Sequence, residues 1–286
     1  MTTNVISTIN LKGGVGKTQM TIALSEFLAA EHGKKVLLID LDPQTNATVA
    51  LIDENVWLAK DNRGETLLQL FKDKLDKTTR FDIRKAIIKR ASNVGGGLKN
   101  LDLLPSSLGL IEIQDTLPLI SARGFFVTSP VTILDDVINE VLDEYEFVLI
   151  DCPPNLGVIT LNGVYISDYF IIPCVPDILS TYGIPQILTR MRNFKKESKI
   201  GLEPLGIVIS MYRAQSRLHD SVIRDLKDKA SSGRYPRIFN TVIPLTVRTA
   251  EAADYKAEVN TLKQKYGYGR VYEDYQSLAS ELLKYV

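Results

Sequence analysis

The stretch Val5-Ile6-Ser7-Thr8-Ile9-Asn10-Leu11-Lys12-Gly13-Gly14-Val15-Gly16-Lys17-Thr18-Gln19 decides the fold. Its first six residues form a β-branched, apolar run that reads as a short strand. From Lys17 to His32 the pattern is helical, with Ile22, Leu24, Phe27 and Leu28 on one side, and Gly33 is placed to end the helix. A glycine-rich turn between a buried strand and a helix has a direct physical meaning. Glycines let the backbone approach an anion closely, so that successive N–H groups point into one concavity. The helix that follows adds the positive end of its dipole. In this setting Lys17 supplies a point charge for the β- and γ-phosphates, and the Thr18 hydroxyl can ligate Mg²⁺. The strict pattern G-x-x-x-x-G-K-[ST] is broken, because position 11 is Leu.

Working outward, near-continuous apolar runs recur at 36–40, 101–104, 147–151, 169–173, 205–211 and 238–243. Such runs indicate strands covered on both faces, as in parallel sheets. Helical patterns separate most of them, notably at 131–144, 179–196, 218–229 and 272–285. Strand and helix in this repeated order predict a doubly wound α/β fold, a mostly parallel sheet with helices on both faces. The expected organisation is a single domain over residues 1–286, with a helical insertion at about 53–100. Within that stretch, helices are expected at 66–71 and 83–91.

The chain has 286 residues, with 34 Lys plus Arg against 34 Asp plus Glu, so its formal net charge is zero. Hydrophobic residues make up 45% and charged residues 24%, enough to bury a large core and too apolar for a disordered chain. A uniformly basic nucleic-acid-binding domain is excluded. The charge is uneven, however. Residues 190–237 hold 12 Lys plus Arg against 5 Asp plus Glu, an excess of seven, and the remainder holds 22 against 29. No apolar run of about 18 residues offers a transmembrane helix, and the first ten residues lack a secretory pattern. Cys152 and Cys174 each sit beside a buried strand and read as reduced core thiols of a cytosolic protein.

Acidic residues stand at two strand ends. Asp40 and Asp42 lie in Leu38-Ile39-Asp40-Leu41-Asp42-Pro43-Gln44, at the carboxyl edge where open α/β sheets bind ligands. Phe147-Val148-Leu149-Ile150-Asp151 is an apolar strand ending in one acid, and an Asp there can hold a Mg²⁺-bound water.

The motif Lys12-Gly13-Gly14-Val15-Gly16-Lys17-Thr18, followed by D-x-D-P-Q and by a strand ending in Asp151, resembles the ParA/MinD family of deviant Walker A P-loop ATPases. The resemblance spans nearly the whole chain and most closely fits the short, Soj-like partition branch. It implies ATP or ADP with Mg²⁺ bound by Lys12, Gly13, Gly14, Val15, Gly16, Lys17, Thr18 and Gln19. It further implies a nucleotide-sandwich homodimer, with Lys12 reaching the other subunit's nucleotide. Gln19 departs from the family's usual Thr, but its backbone N–H can still meet the α-phosphate. Asp42 is implied to orient the attacking water, and Asp40 to support the Mg²⁺ shell beside Thr18 and Asp151. Lys12, Lys17 and Asp42 then form the catalytic set.

Two further segments match in part. Ser210-Met211-Tyr212 resembles the adenine-side loop. Ile243-Pro244-Leu245-Thr246-Val247-Arg248 resembles a segment whose proline lies near the adenine and whose arginine contributes to DNA binding. Pro244 and Met211 are therefore expected at the base, and Arg248 on DNA. The implied function is an ATPase that dimerises on ATP, binds DNA non-specifically, and moves plasmid or chromosome cargo. A ParB-like adaptor would stimulate hydrolysis, and the protein would be cytoplasmic and nucleoid-associated. An alternative is the same engine positioning a protein cargo, such as an organelle. Another is a membrane-docked, MinD-like regulator of the division site. The acid-rich final helix argues against the latter, so no membrane partner is expected. The two cysteines do not suit a cluster-bridging iron protein, and no acceptor motif suggests a small-molecule phosphotransferase.

Overall fold

A computed structural model describes residues 2–122, 129–246, 255 and 259–286. In chain order its elements are β1 (Asn4–Thr8), α1 (Lys17–Ala30), β2 (Val36–Asp40), α2 (Asn46–Leu51), α3 (Glu54–Asn62), α4 (Leu67–Asp76), α5 (Ile83–Ala86) and β3 (Leu101–Leu104). There follow α6 (Leu110–Ala122), α7 (Asp135–Ile138), a 3₁₀ turn (Leu142–Glu144), β4 (Phe147–Asp151), α8 (Val158–Tyr165), β5 (Tyr169–Cys174) and α9 (Ile178–Ser198). The last are β6 (Glu203–Tyr212), α10 (Arg217–Ser231), β7 (Ile238–Pro244), α11 (Leu262–Tyr266) and α12 (Arg270–Leu282).

Among the described residues, seven strands form one sheet in the order β3-β2-β4-β1-β5-β6-β7, and every pairing between these strands is parallel. Strand alternation sends neighbouring residues to opposite layers. Val5 and Ile9 of the β1 region enter one apolar layer, with Leu117 of α6, Val164 of α8, Ile187 of α9 and Leu226 of α10. Ile6 enters the other, with Phe27 of α1, Tyr266 of α11 and Leu278 of α12. The expected mostly parallel sheet with helices on both faces is what the chain forms.

Residues 53–100 contribute side chains to both layers at the β3 edge. Phe71 and Ile83 pack on one side, while Trp57 and Val94 pack on the other. The helix expected over 83–91 ends at Ala86, because Ile88 exchanges backbone hydrogen bonds with Leu103 and extends the sheet edge instead. The helix expected over 131–144 is reduced to α7 and the 3₁₀ turn. The apolar spacing there is helical, but Glu140, Val141 and Tyr145 donate to the carbonyl three residues back, which winds the chain more tightly.

Candidate nucleotide site

The phosphate loop is anchored from both sides. Asn10 is buried, donates from Nδ2 to the Pro173 carbonyl at 2.7 Å, and accepts the Lys12 N–H at 2.9 Å. The Ser210 hydroxyl donates to the Val15 carbonyl at 2.8 Å. The loop is thus tied to the carboxyl ends of β5 and β6. Gly14 and Gly16 adopt φ of 71° and 81°, the left-handed region that glycine enters without strain. No atom lies within 4 Å of where a Cβ would stand at Gly13 or Gly14, so the loop lines open space. Gly16 caps α1 without a side-chain bond, leaving the first N–H groups of the helix for an anion.

Sheet order then gathers the acids. β4 lies between β1 and β2, so Asp151 stands in register with Thr8 on one side and Asp40 on the other. Asp40 is buried, and its carboxylate accepts from the Thr48 N–H at 2.8 Å, the Thr48 hydroxyl at 2.7 Å and the Asp42 N–H at 3.1 Å. Burial nevertheless raises its pKa to about 7, against the pull of these bonds and helped by the Asp42 charge. Asp40 is thereby committed to bracing the turn that carries Asp42. Asp42 itself accepts one N–H, from Gln44 at 2.9 Å, and borders the cleft in front of the loop.

Asp151 differs from Asp40. It is fully buried and neither carboxylate oxygen has a hydrogen-bond partner. Burial pushes its pKa well up, and the neighbouring Asp40 adds to the effect. The Thr18 hydroxyl is close enough to act against the shift but does not reach hydrogen-bonding geometry. Lys17 is also buried, and its ammonium donates to the Lys12 carbonyl at 3.2 Å. Burial lowers its pKa, partly offset by Asp151 and Asp42. The site therefore holds an underused buried carboxylate, a buried cation and a row of free N–H groups. That combination fits a phosphate group with a divalent cation. No described cluster of three His, Cys, Asp or Glu could hold a metal by itself. Mg²⁺ characteristically takes one or two carboxylates and completes its shell with phosphate oxygens and water, so Thr18 and Asp151 fit as its protein contacts.

Two cavities meet here. One of 470 Å³ is lined by Gly13, Gly14, Lys17, Thr18, Asp42 and Pro154 among others. A smaller one of 160 Å³ is mostly apolar and is lined by Gln19, Ser210, Met211, Pro244 and Tyr275 among others. Gly16, Gln19 and Met211 border both. Met211 takes φ of 51°, strained for a side chain with a Cβ, at the end of β6. A larger cleft of 710 Å³ lies at the opposite, amino edge of the sheet, between Phe170, Pro204 and the cations Arg192, Lys195, Lys196 and Lys199. It has neither a glycine loop nor a buried acid.

Lys12 does not line the cleft. Its half-exposed ammonium donates to the Ser180 hydroxyl at 2.9 Å and pairs with Asp177 at 3.3 Å, both at the start of α9. The adjoining turns expose Ile178, Leu179 and Tyr182, which are 54%, 74% and 70% accessible. Arg248 lies outside the described residues. Sequence reasoning missed Asn10, Thr48, Asp177 and the anchoring role of Ser210. Only Asn10, a polar residue just past a strand and ahead of the glycines, left a local signal.

A family model described as AAA domain matches residues 3–203. The sporulation initiation inhibitor protein Soj of Bacillus subtilis is 31% identical over 249 residues, 87% of either chain. The chromosome-partitioning ATPase Soj of Treponema pallidum is 30% identical over 275 residues, 96% of this chain and 95% of that one. Among solved structures, cobyrinic acid a,c-diamide synthase of Mycobacterium smegmatis with bound ADP and magnesium superposes with a TM-score of 0.73 at 24% identity. That match covers 99% of this chain and 95% of the other.

Proposed function

Because the chain belongs to the ParA/MinD family of P-loop ATPases, we propose that it is a partition ATPase that binds ATP and Mg²⁺ at residues 12–19. The observation that carries this reading is the buried, unpartnered Asp151 carboxylate behind an uncapped, glycine-edged helix N-terminus. Such a group is costly in an empty fold and useful beside a cation. The free N–H groups of Gly14 to Thr18 and the Lys17 ammonium would hold the phosphates. Thr18 and Asp151 would hold Mg²⁺, whose charge draws electron density from the phosphate oxygens. Asp42 borders the same cleft and would orient the attacking water, while Asp40 positions the Asp42 turn through its bonds to Thr48. Met211 and Pro244 would flank the base. Phosphoryl transfer to water needs chiefly this positioning and charge stabilisation.

Dimerisation is supported by the surface around Lys12. An accessible lysine beside three exposed apolar side chains suits a face that another copy covers. Non-specific DNA binding is supported by the basic stretch: Arg192, Lys196, Arg213, Arg217, Arg224 and Lys227 are all exposed. A dimer doubles that charge, which steepens the salt dependence of binding to phosphates. Arg248 remains a proposed DNA contact, and a ParB-like adaptor the proposed stimulator of hydrolysis. The apolar face of α12 is spent on α1 and β7, which supports a reading without membrane docking. No helix among the described residues is long and apolar enough to cross a membrane.

The direct test is a Lys17→Ala chain. Calorimetric titration with Mg-ATP should show at least a hundredfold loss of affinity, about the value of a buried charge-assisted contact. Undiminished affinity would remove the site assignment.

A further inference from the structure

Gln19 is the residue of the phosphate loop whose chemistry the preceding reading leaves unused. Its backbone sits in the first turn of α1, and the residue borders both the phosphate cleft and the smaller apolar cavity. Both polar atoms of its carboxamide are buried, and neither has a hydrogen-bond partner. The Tyr275 hydroxyl lies near enough to feel the amide but is not bonded to it. Buried amides without partners are rare and call for a ligand or another explanation. The rest of the small cavity offers little that could read a ligand. The Ser210 hydroxyl is spent on the Val15 carbonyl, and Met211, Ile243, Pro244 and Leu245 are apolar there; Thr246 and Tyr275 add single hydroxyls, but Gln19 alone offers a donor and an acceptor side by side.

We propose that Gln19 is a specificity-determining residue that reads the base of the bound nucleotide. Its amide nitrogen donates to N7 of adenine, and its carbonyl oxygen accepts from the N6 amino group. A carboxamide carries a donor and an acceptor side by side, the complement of that edge. In an anti nucleotide the N7 edge is turned toward the 5′-phosphate side, which is the side from which Gln19 enters. Guanine presents two acceptors, O6 and N7, so one of them would face the amide oxygen. The preference for adenine follows from the penalty of leaving a buried polar group unpaired. This inference rests on the reading of the cleft as an ATP site.

The test compares ATP with 7-deaza-ATP, in which N7 is a C–H, by equilibrium competition on the full chain with Mg²⁺. The original chain should bind ATP about five- to tenfold more tightly than 7-deaza-ATP, the value of one net hydrogen bond. Gln19→Ala should bind the two equally, within about twofold. Gln19→Glu keeps the shape but replaces the donor by an acceptor, so it should bind ATP more weakly than Gln19→Ala. No preference in the original chain, or a preference unchanged in Gln19→Ala, overturns the proposal. Photolabelling with 2-azido-ATP, which leaves the N6/N7 edge free, separates the two levels. Label on residues 211 or 244–246 with an unchanged preference sinks the role of Gln19 alone, whereas label elsewhere sinks the cleft itself.

Discussion

Asp151 and Asp40 show at the residue scale how two acids in register acquire different tasks. Both are buried at neighbouring strand ends, yet Asp40 accepts three hydrogen bonds and Asp151 none. An unpaired buried acid costs stability whether it stays charged or takes up a proton. Asp151→Asn should therefore raise the melting temperature of the nucleotide-free chain by a few degrees, about 1–2 kcal/mol, while weakening Mg-ATP binding at least tenfold. Thermal melts with and without Mg-ATP check both halves. A lower melting point without nucleotide would mean that Asp151 has a structural partner instead. Lys17, Thr18 and the glycines were legible in the sequence because their meaning is local: a strand, a turn and a helix within 20 residues. The tasks of Asp40 and Ser210 were not. Each depends on a partner brought close only by the fold, Thr48 for the first and Val15, 195 residues away, for the second.

At the scale of elements, α1 bears the site at its start and a buried ion pair further along. Lys265 of α11 pairs with Glu26 at 2.8 Å, with the two side chains 2% and 0% accessible. The Ser92 and Tyr266 hydroxyls donate to the same carboxylate at 2.6 and 2.7 Å, and Lys265 also donates to Asn93. The network locks α1 to α11 and to the 92–93 turn, so that the helix behind the phosphate loop has one position. Glu26→Ala would strand a buried ammonium. It should cost about 3–5 kcal/mol, read as a lower urea midpoint, and the double variant Glu26→Ala, Lys265→Met should recover much of it. Additive losses in the double variant would show that the pair is not coupled. The sequence marked α1 as a buried helix but gave no hint of this pair, since a single Glu among apolar neighbours has no visible partner until α11 is folded against it. Periodicity placed α1, α9, α10 and α12, but not α6. It failed where backbone bonding overrode side-chain spacing, at 83–91 and 131–144.

For the whole molecule, the parallel sheet places the loop, all three acids and the start of α9 along one edge. The fold and this edge were readable from strand order and motif. The proposed pairing with a second copy rests on resemblance, because an interface leaves its mark on the surface rather than in the periodicity. The bonds of Lys12 to Asp177 and Ser180 hold it beside exposed Ile178, Leu179 and Tyr182, a surface that suits the proposed dimer face. The proposed function is that of a switch, in which ATP would close two copies on each other through this edge and the pair would hold DNA. The most direct measurement is sedimentation velocity of the full chain with Mg²⁺ and either ATP or ADP. The chain should sediment as a monomer with ADP and as a species of twice the mass with ATP, the latter absent in Lys12→Ala even when that variant is saturated with ATP. A sedimentation coefficient unaffected by ATP, or a dimer that forms equally well in Lys12→Ala, would contradict it.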